Sequence, residues 1–473
     1  MKKILSLILL IALLFSFASC KQDKPDGEAQ SESQTQSETQ APENLPSYVD
    51  LSDYRVVIPK DADAITKYAS ENFVSLVEER LDIDLTVVDD TAEETELEIL
   101  IGETNRDESD FESVLADGEY YLFVDESKIV MQGYGIYIGA ACGDFINKYT
   151  SLADNGLLEI TDLPKEATPL KFEFAEKATS VIFMIGDGMG ENHIKMAEYK
   201  DMIFYARGFT SIGKSVTRSQ SVIDGKATYT DSAASGTAMA TGYKTVNGYI
   251  GLDKSGVSIK NVRELAFENG AKTAVITTDL ITGATPSSYL CHSLSRNNTD
   301  DLQAQIDALV NDKKVDYVAG DVGDELTSHI KTALSQISAD GSSFFMMVEE
   351  GLIDKASHSK QTVLATNYVI RFNDAIAYTT QFVLCHPDVA LIVTADHETG
   401  DLTQSIKRPN YFFFQSSNHT NQDVPVFAIG AGTEIFNGQR VENIELARFC
   451  AGIYSSEQFG QTEPVPSENE TND

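Results

Sequence analysis

Three apolar runs in this chain each break off at an acidic residue, and no other feature constrains the fold as strongly. SVIFMIGDGMG (180–190) reaches Asp187, FFMMVEEG (344–351) reaches Glu349, and LIVTADHETGD (391–401) reaches Asp396 with His397 beside it. Unbroken apolar runs of this length suit strands buried on both faces of a sheet. Open α/β sheets carry their sites at the carboxyl ends of such strands. An Asp–His pair without thiolate suits a catalytic zinc better than a structural one, although a pair of this kind alone can equally cap a helix. In the first run Gly186, Gly188 and Gly190 allow a tight turn and close approach to a ligand. GDGMG does not fit the GxGxxG dinucleotide fingerprint.

Two further segments carry matching parts. In TYTDSAASGTAMATGYKTVNGYIGLD (228–253), Asp231 and Ser232 precede a run of small residues that reads as a tightly packed helix. Ser232 then stands at a helix N-terminus, where free N–H groups and the helix dipole favour an anion. The plainer alternative is that Asp231 or Ser232 is only an N-cap. In VEEGLIDKASHSK, Asp354 and His358 lie four apart and share a face if the stretch is helical. Such a pair is either a metal clip or an exposed capping or ion pair.

Taken together, GDGMG, TDSAASGTAMATG, VEEGLIDK with its following His, and TADHETG resemble the motifs of the alkaline phosphatase family, in order and spacing, over roughly residues 178–453. The resemblance implies an α/β fold with a central mixed β-sheet flanked by helices on both faces. It also implies two zinc ions and one magnesium. Asp354, His358 and His419 would hold the first zinc, and Asp187, Asp396 and His397 the second, next to the nucleophile Ser232. Asp187 would also reach the magnesium, completed by Thr285 and Glu349. Glu350 is the neighbouring alternative, but the five-residue step to Asp354 matches the family at Glu349. Arg296, eleven residues after Thr285, falls where the family keeps its phosphate-binding arginine, and Asp231 and Lys355 would line the same substrate site. The implied activity is hydrolysis of phosphate monoesters, through a phosphoserine, with inorganic phosphate as product. A metal-activated hydroxyl and bidentate guanidinium suit such a transfer, because its charge spreads over the phosphoryl oxygens. The alternatives are a phosphodiesterase or sulfatase of the same superfamily, or an inactive binding lipoprotein. The DSAAS context of Ser232 does not look like a sulfatase, and no direct ligand is missing.

The sequence departs from better-known members at Gly283, where Asp or His commonly stands two residues before the magnesium threonine. Bacterial members pair the lysine at the position of Lys355 with that acid, so Lys355 is expected to be free to reach phosphate through water. Of the remaining histidines, His193 is expected to be a helix or packing residue and His292 structural or second to the site. His329 and His386 are expected at turns or on the surface.

Outside the catalytic segment (171–456) the chain divides further. Residues 1–20 carry two lysines, an apolar core too short for a membrane span of ~20 residues, and FASC, which resembles a bacterial lipoprotein signal. Cys20 would then bear the lipid, so the protein is expected to be exported to the cell surface or periplasm and tied to the membrane. A tether (21–47) and a tail (457–473), both poor in apolar residues, are expected to be disordered. Between them, 48–170 reads as a smaller α/β domain with a helix over 61–81, a hairpin across DESK and a closing helix over 135–149. The net charge is −37, more than half of it in the first 150 residues, and with no basic stripe this argues against nucleic acid. Cys142, Cys291, Cys385 and Cys450 fit no zinc spacing. The family's frequent dimers add a homodimer to the expectations, without a direct sign of one in the sequence.

Overall fold

The computed structural model describes residues 47–110, 114–125, 127–152, 158–160, 163–200, 202–223, 226–455 and 459–460. The signal segment with Cys20, the tether as far as residue 46 and the tail beyond residue 460 lie outside them. The described residues fall within one compact unit.

Its first part is a six-stranded sheet built from β1 (Arg55–Ile58), β2 (Val87–Asp89), β3 (Glu98–Ile101), β4 (Glu119–Asp125), β5 (Lys128–Gly133) and β6 (Leu170–Lys171). The order is β2-β1-β3-β5-β4-β6, and the expected hairpin is β4–β5. Helix α1 (Ala64–Leu81) starts at Asp63, whose side chain accepts from Thr66 N, and α2 spans Ile138–Lys148. Alternate residues of the strands face opposite ways, as the period of two requires. Val57, Leu100, Tyr121, Phe123 and Val130 form a small outer cluster. Val56, Ile99, Ile101, Leu122, Ile129 and Met131 turn inward to α1 and α2, and that inner cluster does not stop at residue 170. It continues into the long helix Thr362–Cys385 and the second sheet. The 48–170 block, read from the sequence as a smaller α/β domain, therefore shares its inner cluster with the segment that follows it.

The second sheet has eight strands: β7 (Ser180–Gly186), β8 (Ser211–Val216), β9 (Lys272–Thr277), β10 (Tyr317–Ala319), β11 (Phe344–Glu350), β12 (Val389–Thr394), β13 (Val424–Ile429) and β14 (Arg440–Glu442). In the order β10-β9-β11-β7-β12-β13-β8-β14, the first five run parallel and β13 runs antiparallel to β12 and β8. The sheet is mixed, as expected. Val181, Phe183 and Ile185 pack on one face with α3 (Ser232–Thr241) and α4 (Ala284–Leu290), while Ile182 and Met184 pack on the other with the long helix. The strands that carry Asp187, Glu349 and Asp396 are adjacent, with Ile185 level with Glu349 and with Thr394. That register gathers the three acids at one edge. After Glu350 the chain enters α5 (Leu352–His358), which bears Asp354 and His358, and then the long helix, α6 (Thr362–Cys385).

α2 meets α6 through a glycine seam. Gln381 accepts from Gly139 N at 2.9 Å and donates to Ile136 O at 2.9 Å. A Cβ at Gly143 would lie 2.7 Å from Cys385 Cα and 2.8 Å from Leu384 O. Alanine is worth up to ~1 kcal/mol over glycine in a helix, but here it meets backbone that cannot rotate away. Overpacking costs ~1–3 kcal/mol, so the clash outweighs the propensity gain. Gly143→Ala is expected to lower the thermal midpoint, and a raised midpoint would contradict the seam.

Candidate metal centre and nucleophile

Two sets of ligand atoms converge at the sheet edge. Asp354, His358 and His419 form one and Asp187, Asp396 and His397 the other, with the atoms of each set within 4.8 Å of one another. The imidazoles are oriented from behind. His358 Nδ1 lies 2.6 Å from Ser417 O, and His419 Nδ1 lies 2.7 Å from Thr230 O. A carbonyl can only accept, so each Nδ1 carries a proton and each Nε2 offers a lone pair when its ring is neutral. Those two Nε2 atoms face each other at 3.1 Å. His397 stacks on His419 with ring centroids 3.6 Å apart, and its Nε2 lies 3.1 Å from Asp396 Oδ2 and 3.6 Å from Asp187 Oδ1.

Burial shapes the charges. It lowers the pKa of His397 well below the usual imidazole value, helped by the neighbouring His419. His358 moves the other way, to about 8, through its hydrogen bond with Asp354. Burial raises Asp396 to about 7 and Glu349 to about 8, with nearby carboxylates adding to both. Asp187 is raised by burial and then by Asp396, Asp354 and Glu349. Buried acids are ordinarily paired. Here Asp187 Oδ1, Asp396 Oδ2 and Thr285 Oγ1 are buried without a hydrogen-bond partner. Orphaned oxygens beside inward-facing imidazole lone pairs fit divalent cations: His and carboxylate for zinc, and the all-oxygen set Asp187, Thr285 and Glu349 for magnesium.

Ser232 opens α3 directly against these groups. Its Oγ is 3.3 Å from His397 Nε2. Asp231 is the N-cap, accepting from Ala234 N, as the capping alternative has it. The remaining Asp231 oxygen accepts from Gly248 N at 3.0 Å and from Arg296 Nη1 at 3.3 Å, holding the guanidinium beside the serine. The helix is buried along its whole length and anchored by Ser235 Oγ, which donates to Asp396 O at 2.6 Å. At the first turn after β7, Gly188 has φ +74°, and its N–H donates to Asp396 Oδ1 at 3.0 Å. A Cβ at Gly190 would lie 2.4 Å from Glu398 Cγ, so this turn tolerates only glycine.

The adjacent glutamates have different partners. Glu350 is clamped by Arg371 through two 2.7 Å bonds and receives Thr278 Oγ1, whereas Glu349 receives only Thr277 Oγ1 and lies near the Thr285 hydroxyl without a bond of normal geometry. Only Glu349 is left open toward Asp187. Sequence reasoning missed Arg371, Thr277 and Thr399, whose hydroxyl bonds Asp354 at 2.5 Å. It also missed a partner for Lys355. That lysine is not free, because its ammonium is bonded to Asp279. The other histidines stand off the ligand sets: His193 bonds Ser357 and Gly190, His292 bonds Glu264 and Gly251, and His329 and His386 are half-buried.

Comparison with known proteins bears on this geometry. The family model for alkaline phosphatase matches residues 178–324 and 319–417, half of the chain. The chain belongs to the alkaline phosphatase family. It is 30% identical over 290 residues to alkaline phosphatase 4 of Bacillus subtilis, covering 47% of this chain and 62% of that relative. With alkaline phosphatase 3 of the same organism it shares 28% over 289 residues, again 62% of the relative. The chain thus spans less than two thirds of these curated relatives. Among solved structures, the alkaline phosphatase of the Antarctic bacterium TAB5 superimposes with a TM-score of 0.53 at 26% identity, covering 59% of this chain and 98% of that one. A variant of that enzyme was solved with Mg bound in its M3 site, and it aligns at 25% identity with a TM-score of 0.52. The Thermus thermophilus enzyme, at 18% identity and a TM-score of 0.52, shares the fold.

The Arg371 clamp gives a test of how the edge is held. Burial raises the Glu350 carboxyl even with Arg371 beside it, so the folded state binds its proton more readily than the unfolded state. Its charged form therefore costs more stability as pH rises through the folded value. Removing Arg371 strips the bonds that favour the charge. Arg371→Ala is expected to cost ~3–5 kcal/mol in urea unfolding at pH 8, with the loss shrinking as pH falls to 5. Equal losses at both pH values would show that Glu350 is not the group left exposed to the penalty.

Proposed function

We propose that this chain hydrolyses phosphate monoesters outside the cytoplasm, passing the phosphoryl group to Ser232 and then to water, with two zinc ions and one magnesium in attendance. The observation that carries the reading is the position of Ser232 Oγ at a helix N-terminus, 3.3 Å from the inward-facing Nε2 of His397. Asp354, His358 and His419 would hold one zinc, Asp187, Asp396 and His397 the other, and Asp187, Thr285 and Glu349 the magnesium. Such cations, when bound, lower the barrier to ionising a hydroxyl and neutralise charge building on the phosphoryl oxygens.

The chain supplies the rest. Ser232 Oγ gives up its proton and attacks phosphorus, the P–O bond to the ester oxygen breaks, and the leaving alkoxide takes up a proton to depart as the alcohol. Water then attacks the phosphoserine, freeing inorganic phosphate and restoring the hydroxyl. Arg296, held by Asp231, would take two phosphoryl oxygens in its fork. The N-terminal end of α3 adds its dipole on the same side. The signal-like 1–20 with Cys20, followed by a polar tether, supports lipid anchoring at the cell surface or periplasm.

The test is hydrolysis of p-nitrophenyl phosphate beside bis-p-nitrophenyl phosphate by the full chain, with zinc and magnesium added or chelated. Metal-dependent turnover of the monoester is expected. Ser232→Ala should lose at least about a thousandfold in kcat and fail to trap labelled phosphate on acid quench, and Arg296→Ala should lose ~10²-fold in kcat/KM. A preference for the diester would replace the reading with a phosphodiesterase, and no turnover of either would replace it with a binding protein.

A further inference from the structure

The loop between β9 and α4 places a carboxylate where residue 283 has no side chain. Gly283 is the N-cap of α4, and a Cβ built there would lie 3.5 Å from Asp279 Oδ2 and 2.8 Å from Leu280 O. Asp279 thus fills the space that a longer residue at 283 would claim, and it does so from four residues earlier in the chain. The same carboxylate neighbours Glu349. A Cβ at Gly351 would touch Asp279 Cβ at 2.9 Å and Glu349 Oε2 at 3.4 Å, so one glycine keeps the two acids side by side. Thr277 links them, accepting from Asp279 N at 3.0 Å and donating to Glu349 Oε2. Asp279 Oδ1 is occupied by Leu280 N and by the Lys355 ammonium, while Oδ2 points toward Gly283. Behind Glu349 lies the buried, unpartnered Thr285 Oγ1, with the unpartnered Asp187 Oδ1 completing the oxygen set.

We propose that Asp279 is the outer carboxylate of the third cation site, acting through water on a magnesium ion held by Asp187, Thr285 and Glu349. The proposal rests on the reading of that site given above. Magnesium keeps several of its waters and takes only one or two carboxylates directly, so a nearby acid that orients those waters is a normal part of its binding. Lys355 competes for the same carboxylate. Its charge satisfies Asp279 from the solvent side and opposes a cation on the inner side. This arrangement also makes Gly283→Asp a poor substitution, since it would press a Cβ against Leu280 O and set two carboxylates together.

The experiment is calorimetric titration of the zinc-loaded full chain with magnesium chloride, with the thermal midpoint followed against magnesium. Asp279→Asn keeps the shape and the loop hydrogen bonds, and it is expected to weaken magnesium binding about tenfold or more while leaving the magnesium-free midpoint nearly unchanged. Lys355→Met removes the competing charge and is expected to tighten binding. Opposite signs are the signature. An Asp279→Asn variant that binds as wild type does, or two variants that shift the same way, would make Asp279 merely the counter-ion of Lys355 and overturn the proposal. Failure of the wild-type chain to bind magnesium at all would overturn the third site itself, and the proposal with it.

Discussion

Like charge gathered at the carboxyl ends of three adjacent strands is the constraint on which this structure turns. Asp187, Glu349 and Asp396 are buried together, and burial raises the pKa of each, with neighbouring carboxylates adding to it. A fold could relieve this by placing an arginine among them. It has one within a residue's reach, since Arg371 makes a two-armed bond to Glu350, whose carbonyl also receives Asp187 N at 3.0 Å. The guanidinium thus serves the structural acid, while the acid next to it is left without a basic partner. That division fits a site in which the compensating charge comes from cations.

The geometry that keeps these acids in place comes from the whole sheet. β11, β7 and β12 are in parallel register, so their last residues reach the same level, and the glycine turn after β7 brings a backbone donor to Asp396. α6 explains how such an edge is made rigid. It is buried nearly all round in its second half, because the central sheet lies on one side and α1 and α2 on the other. An all-round apolar helix is the mark of a helix inside a protein. The N-terminal block supplies the cover, so its sheet and helices act as a third layer behind the catalytic segment.

Much of this was legible in the sequence because it is local. Strand ends marked by Asp187, Glu349 and Asp396 follow from apolar runs stopped by acid, and the helix of 61–81 follows from its buried stripe of Ile65, Ala69, Phe73, Leu76 and Val77, its start moving only to the Asp63 cap. What escaped was pairing at a distance. Asp279 and Lys355 are 76 residues apart, and Arg371 is 21 from Glu350. Periodicity states which face a residue occupies but not who stands opposite. The joint core of α1, α2 and α6 escaped for the same reason: an amphipathic helix announces that it needs a partner, and either half of the chain could have provided it. The spacing that suggested a free Lys355 compared one position, 283, when the acid came from another.

Charge also explains why positive groups near Ser232 are so closely tethered. The chain carries −37 in all, a field that repels a phosphate ester at long range. At the site the two flexible cations are each held by an acid, Arg296 by Asp231 and Lys355 by Asp279. Tethering costs net charge, since each pair is neutral, but it removes the rotamer freedom that a long side chain would otherwise lose on binding. A neutral, oriented guanidinium–carboxylate pair cannot by itself draw a dianion into an acidic protein. The attraction has to come from charge with no acid of its own to satisfy it beyond the ligand sets, and the converging imidazoles and orphaned oxygens are built to hold such charge. Under the proposed function, cations held there would be as much the substrate-binding surface as the catalytic apparatus, and Arg296 would set the angle of a phosphoryl group already captured by them.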